Sequence, residues 1–196
     1  MRLDGAFEVR RSYQAEGLLS HEEWRDRDGS LMTLTDTYAA FDRTYDDQGR
    51  IVSESYTDVQ GLPCESSLGY AKILYLYGEE AYSYTEVYVD LQGHQVSSRA
   101  GYDMKKVTTD PGGRILLEEY LDKNGQSVMC AAGYAAMQQT WDGHLLSQVR
   151  YLDADGHPAL CILGFSGILY DYEGTNQPVH ETYLDTDGRV LWETAE

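Results

Sequence analysis

The sequence predicts an all-β fold, a tandem repeat array of antiparallel β-hairpins, and three observations predict it. Aromatic residues recur at Trp24, Tyr56, Tyr88, Tyr120, Tyr151 and Tyr183, spaced 32, 32, 32, 31 and 32 residues apart. Two residues after each stands an aspartate (Asp26, Asp58, Asp90, Asp122, Asp153, Asp185), and three residues later a glycine (Gly29, Gly61, Gly93, Gly125, Gly156, Gly188). The composition agrees, with 17 tyrosines and 19 glycines beside three phenylalanines, because tyrosine favours strands while glycine and aspartate punctuate turns. Eighteen matches at a nearly constant interval divide the chain, as a single array, into six units: 5–36, 37–68, 69–100, 101–132, 133–163 and 164–196.

Each unit opens on a small residue followed by an aromatic, at Thr37-Tyr38, Gly69-Tyr70, Gly101-Tyr102, Gly133-Tyr134 and Gly164-Phe165, with Gly5-Ala6 a weaker first copy. Eight residues on comes a second aromatic in five copies (Tyr13, Tyr45, Tyr77, Trp141, Tyr172), with Thr109 in the remaining one. A first turn follows, clearest as Tyr45-Asp46-Asp47-Gln48-Gly49 and shortened to Trp141-Asp142-Gly143 in the fifth unit, which accounts for the 31-residue spacing. The next segment, E-x-[YW]-x-D, places its marked side chains on one face of a strand, since strand side chains alternate with period two. The D-x-x-G that closes it is hairpin chemistry: the aspartate bonds amides two residues on, and the glycine takes the left-handed conformation. Turn glycines lie 12 and then about 20 residues apart. Twenty exceeds a typical strand, which predicts a corner at the opening residue and two long strands plus one short strand per unit. Helix is disfavoured because no segment sustains apolar residues at i, i+3, i+4 and i+7.

The pattern fits either an extended twisted meander or an open β-solenoid. Glutamate precedes the aromatic by two residues in five copies (Glu22, Glu54, Glu86, Glu118, Glu181), with Val149 in the other. Stacking these strands directly on one another would build a like-charged ladder costing about 1 kcal/mol per contact. Equivalent strands are therefore expected to be separated by the other strands of their units.

Formal net charge is −18, from 33 acidic and 15 basic residues, which removes the electrostatic footprint for nucleic acid or an anionic lipid surface. No run is long and apolar enough for membrane insertion. The first 30 residues lack the basic and apolar regions of a secretory signal. A complete chain would then be cytoplasmic, and a part of a larger bacterial surface or secreted protein would carry its targeting elsewhere. Cys64, Cys130 and Cys161 have neither disulfide-framework nor zinc spacing and read as buried thiols.

The segment YDDQGRIVSESYTDVQG, Tyr45 to Gly61, resembles the tyrosine-aspartate repeat of bacterial Rhs-type proteins. The fuller unit, G-Y-A…Y-D-x-x-G…Y-L-D-A-D-G-x-P, resembles 32-residue repeats found in tandem in bacterial multidomain proteins. That resemblance covers essentially the whole chain and implies an all-β repeat. A looser one runs to the aromatic-glycine hairpins of bacterial cell-wall-binding repeats and implies carbohydrate recognition. Their tryptophan-rich signature is missing, since only Trp24, Trp141 and Trp192 occur.

Residues present in every copy serve what every copy needs. The aspartates therefore read as turn formers, and the aromatic column as a core or inter-repeat stack. D-x-D-G at Asp26, Asp153 and Asp185 invites calcium, yet the bidentate glutamate of a calcium loop is not in place. His21, His94, His144, His157 and His180 stand singly, and no phosphate loop or nucleophile elbow occurs. No catalytic residue, metal or cofactor is expected. The expectation is a non-catalytic interaction or spacer module with a protein or cell-surface glycan as ligand. The alternative is a polysaccharide hydrolase using carboxylates of one atypical unit. Candidate binding residues are the aromatics unmatched across copies: Tyr75, Tyr82, Tyr84, Tyr170 and Trp192.

Overall fold

A computed structural model describes residues 7–34 and 36–195. The opening Gly5-Ala6 lies outside them. The fold is all-β: thirteen antiparallel strands are found among the described residues, their sheet order follows chain order, and the sheet is open. The longest helical element among these residues is a three-residue 3-10 turn, Ala15–Gly17. Contacts divide the chain into two compact units, one running to Leu76 and taking in Glu86–Arg99, the other made of Tyr77–Thr85 and the chain from Ala100 onward.

In the first unit β1 (Glu8–Tyr13), β2 (Leu19–Arg25), β3 (Ala40–Tyr45), β4 (Ile51–Thr57) and β5 (Lys72–Leu76) pair antiparallel, each with the next. β6 (Ser83–Val89) is divided between the units. The second unit continues with β7 (Met104–Thr109), β8 (Ile115–Leu121), β9 (Ala136–Asp142), β10 (Leu145–Leu152), β11 (Gly167–Asp171), β12 (His180–Leu184) and β13 (Val190–Ala195), again each paired with the next. Each unit is thus an up-and-down meander. A solenoid would instead pair equivalent strands of successive repeats. Strand interposition relieves the glutamates: Glu54 stands opposite Arg43 and Ile73, and Glu118 opposite Val107 and Met137.

The D-x-x-G turns form at all six sites. At Asp122 the carbonyl accepts the Gly125 amide at 3.0 Å, and Oδ1 accepts the amides of Asn124 and Gln126, both at 2.8 Å. One aspartate therefore satisfies the amides that a tight reversal would otherwise strand. The glycine sits at φ +80, where a Cβ is penalised. Gly156 has φ +84 with no atom within 4 Å of a built Cβ, so Gly156→Val is expected to cost about 1–2 kcal/mol through backbone strain alone. Chemical denaturation read against Gly156→Ala checks it.

The expected third, short strand is not a strand. It shrinks to a single antiparallel bridge after each of the first five D-x-x-G turns, as at Thr57 with Pro63 and Leu121 with Ser127. The expected corner is a further tight turn closed by the opening glycine. Gly69, Gly133 and Gly164 donate to the carbonyls of Ser66, Cys130 and Cys161 at 3.0, 2.9 and 2.9 Å. Twenty residues are accommodated because the chain makes this small excursion instead of a long strand.

The core is a file of rings. In the first unit it runs Trp24, Tyr38, Tyr56, Tyr70, Tyr88, with centroid spacings of 5.7, 4.4, 6.1 and 4.5 Å. In the second it runs Tyr102, Tyr120, Tyr134, Tyr151, Phe165, Tyr183, spaced 4.6, 5.8, 4.4, 5.8 and 4.8 Å. Rings of the E-x-[YW] strand alternate with rings of the unit openings, so two columns of the repeat interleave. Trp192 ends the file, stacked on Tyr183 at 4.9 Å. It can do so because the sixth D-x-x-G turn continues into the full strand β13, which takes the place on β12 that β11 takes on β10.

Candidate functional site

The repeated carboxylates are engaged within the sheet. Glu54 accepts hydrogen bonds from Arg43 Nε at 2.7 Å and from the Tyr56 hydroxyl at 2.9 Å. Glu22 pairs with Arg11, Glu118 with Lys105 at 3.3 Å, and Glu86 and Glu181 accept from the hydroxyls of Tyr88 and Tyr183 at 2.9 and 2.5 Å. In the fifth repeat, where Val149 replaces glutamate, the facing residue is the uncharged Gln139. These carboxylates anchor the ring file.

Their charge shapes the tyrosines. Burial, with Glu54 next in effect, drives the Tyr56 hydroxyl far above its ordinary range, and burial likewise raises Tyr120 and Tyr151. Tyr38 is pushed up to about 12, mainly by burial. A folded-state pKa raised in this way contributes stability that is full below the unfolded value of about 10 and is lost as pH rises through the folded values. Alkaline unfolding is therefore expected to begin above about pH 10, with tyrosinate absorbance and loss of β circular dichroism rising together. Ionisation of the greater part of the tyrosines well before loss of structure would contradict it.

The turn aspartates shift the opposite way. Backbone amides, with desolvation opposing them, lower Asp90, Asp122 and Asp153. Their contribution is present above the unfolded value of about 3.9 and is lost as pH falls through the lowered folded values. Asp153, Asp155 and His157 form a group whose ligand atoms lie within 4.8 Å of one another. Asp153 Oδ1 in that group is already taken by the amides of Asp155 and His157, at 2.9 and 2.8 Å. In the sixth repeat Arg189 replaces the histidine and pairs with Asp187 at 2.7 Å.

A second aromatic column has a role that spacing alone does not reveal. The Tyr45 hydroxyl, the Trp141 ring nitrogen and the Tyr172 hydroxyl donate to the carbonyls of Leu19, Ile115 and Leu146, at 2.6, 2.8 and 2.9 Å. Each satisfies a backbone group at the start of a strand in the preceding repeat.

The five unmatched aromatics are divided between the two units. Tyr75 lies on β5 in the first unit, close enough to Arg43 to act on its charge. Tyr82 is exposed at φ +61, a left-handed conformation rare for a residue with a Cβ, and Tyr84 tilts against Tyr77 at 5.9 Å. Tyr170 packs on the Cys161, Phe165, Ile168 cluster, and Trp192 ends the ring file. Cys130 and Cys161 are buried, and Cys64 is half-buried with its thiol pushed up by burial.

The first unit instead offers a groove of about 480 Å³ on the sheet. Asp42, Ser55 and Lys72 stand in direct register across β3, β4 and β5, and the turn from Asp90 to Gly93 forms a wall. Lys72 has no ion-pair partner among the described residues. At the matching place in the second unit Arg150 and Gly167 replace Ser55 and Lys72, and the space falls to about 10 Å³. There Gly167 lies so near the Val149 carbonyl that a Cβ would meet it at 2.9 Å. The signal was available in the sequence, as unmatched polar residues on the strand phase opposite the tyrosines, but aromatic mismatches alone do not find it.

No helix among the described residues is long and apolar enough to cross a membrane. Comparison with models of known families and with curated proteins returns no match.

Proposed function

We propose that the chain is a non-catalytic interaction module of a bacterial repeat protein, engaging a protein or cell-surface glycan through the groove of its first unit. The observation that carries this reading is the division of labour among side chains. Residues shared by all copies are engaged within the repeat fold, whereas Asp42, Ser55 and Lys72 differ from their counterparts and face a groove that shrinks where Arg150 and Gly167 replace Ser55 and Lys72. The likeness to Rhs-type tyrosine-aspartate repeats supports a bacterial tandem array.

The hydrolase alternative needs a carboxyl group held protonated, with its pKa raised, beside a second carboxylate. Every carboxyl group with a resolved shift among the described residues moves downward, including Asp90 beside the groove. Asp42, the other groove carboxylate, is bound to His21 Nδ1 at 2.8 Å.

A glycan array and a cell-wall pulldown test the proposal. Lys72→Ala and Asp42→Ala are expected to weaken any ligand found by about tenfold each with the melting temperature nearly unchanged, since both lie at a solvent-facing groove. Hydrolysis of a glycan that is lost with a single carboxylate would overturn it.

A further inference from the structure

The tight turns that open successive repeats are joined by a backbone ladder. The Arg99 amide donates to the Leu68 carbonyl at 2.8 Å in the first unit. In the second, the Ala131 amide donates to Ala100 at 2.7 Å and the Ile162 amide to Ala132 at 2.8 Å. These contacts repeat at one place: the second residue of a turn donates to the third residue of the turn before it. The turn glycines record how close the approach is. A Cβ on Gly69 would meet Arg99 Nε at 3.0 Å, one on Gly101 the Ala131 nitrogen at 3.4 Å, and one on Gly133 the Ile162 nitrogen and Leu160 oxygen at 3.2 Å.

The next rung is open. Gly164 keeps the same left-handed φ, +87, but nothing lies within 4 Å of its Cβ position. The Leu163 carbonyl, at the acceptor place of the ladder, receives no bond from a described residue. The sixth repeat has no such turn among the described residues, because its chain continues into β13 instead. Ile162 and Leu163 are consequently 78% and 73% exposed, the two most exposed large apolar residues described. Leu160, two residues before Ile162, and Met129, two residues before Ala131 of the preceding turn, are exposed as well.

Charge narrows the partner. In a chain of net charge −18, residues 124–141 and 158–170 carry no charged side chain. Self-repulsion between two copies is therefore weakest here, and the covering group seen at the earlier rungs is a turn of the same type. We propose that the Ile162–Gly164 turn is a self-association surface, on which a second copy of this chain docks its own Ile162–Gly164 turn. The contact is two-fold and apolar, and buries Ile162 and Leu163 of both copies.

Sedimentation velocity over a concentration series tests this without any glycan or protein ligand, so its failure is separable from failure of the binding-module reading. The wild-type chain is expected to form dimers. A variant carrying Ile162→Lys and Leu163→Lys is expected to weaken dimerisation by at least about a hundredfold, because four large apolar side chains lose their burial. Leu62→Lys, at an exposed apolar residue of the first unit, is the control for general surface charge and is expected to leave dimerisation unchanged. Circular dichroism must show both variants folded. A wild-type monomer up to millimolar concentration, or dimerisation unaffected by the double variant, would overturn the proposal.

Discussion

Replacing Tyr88 by alanine is expected to destabilise the protein by about 4 kcal/mol, the range for emptying a large aromatic site in a packed core. Tyr88 is 1% exposed, stacks on Tyr70 at 4.5 Å and donates its hydroxyl to Glu86 at 2.9 Å. Truncation would therefore remove a ring from the first unit's file and also take a donor from a buried carboxylate. Tyr88→Phe keeps the ring and separates the effects, with an expected loss of about 1–2 kcal/mol from the hydroxyl alone. Urea denaturation of the three proteins gives both numbers. Equal losses for alanine and phenylalanine would show that the ring file contributes little.

The second large effect is expected at a glycine. Gly133→Val should cost about 3 kcal/mol or more, since left-handed strain at φ +90 is joined by a Cβ contact of 3.2 Å with two backbone atoms of the neighbouring turn. Backbone atoms held in a hydrogen-bonded ladder cannot move aside as a flexible side chain does. Gly164→Val, at φ +87 with open space around it, carries the strain without the collision and is expected to cost about half as much. The difference between the two, measured by denaturant titration, isolates the close approach.

Most of the fold was legible in the sequence because the repeat states its own period and its turns state their own chemistry. Asp122 and Gly125 needed no tertiary context to be read as a hairpin turn, and the glutamate column argued correctly for interposed strands. What was not legible depended on neighbours. Counting residues between turns suggested a short third strand, whereas the bridge at Thr57 and Pro63 and the turn at Ser66–Gly69 use the same length differently. Trp192 matches no column of the repeat, yet it does a column residue's work from a strand of different origin. The groove escapes a reading of aromatic columns for the converse reason: Asp42, Ser55 and Lys72 are polar mismatches that only the register of three strands brings together.

The up-and-down pairing also determines how each unit responds to tension. When the ends of a meander are pulled apart, load falls on the outermost hydrogen bonds of a strand pair one at a time, instead of on a whole ladder in shear. Every released repeat would then pay out about 100 Å of slack, from some 32 residues at roughly 3.4 Å each. Such a chain yields at low force in a series of small, similar steps and re-forms each hairpin locally when the load drops. Between two anchored partners it would act as a shock absorber, lengthening under strain while its remaining repeats stay folded.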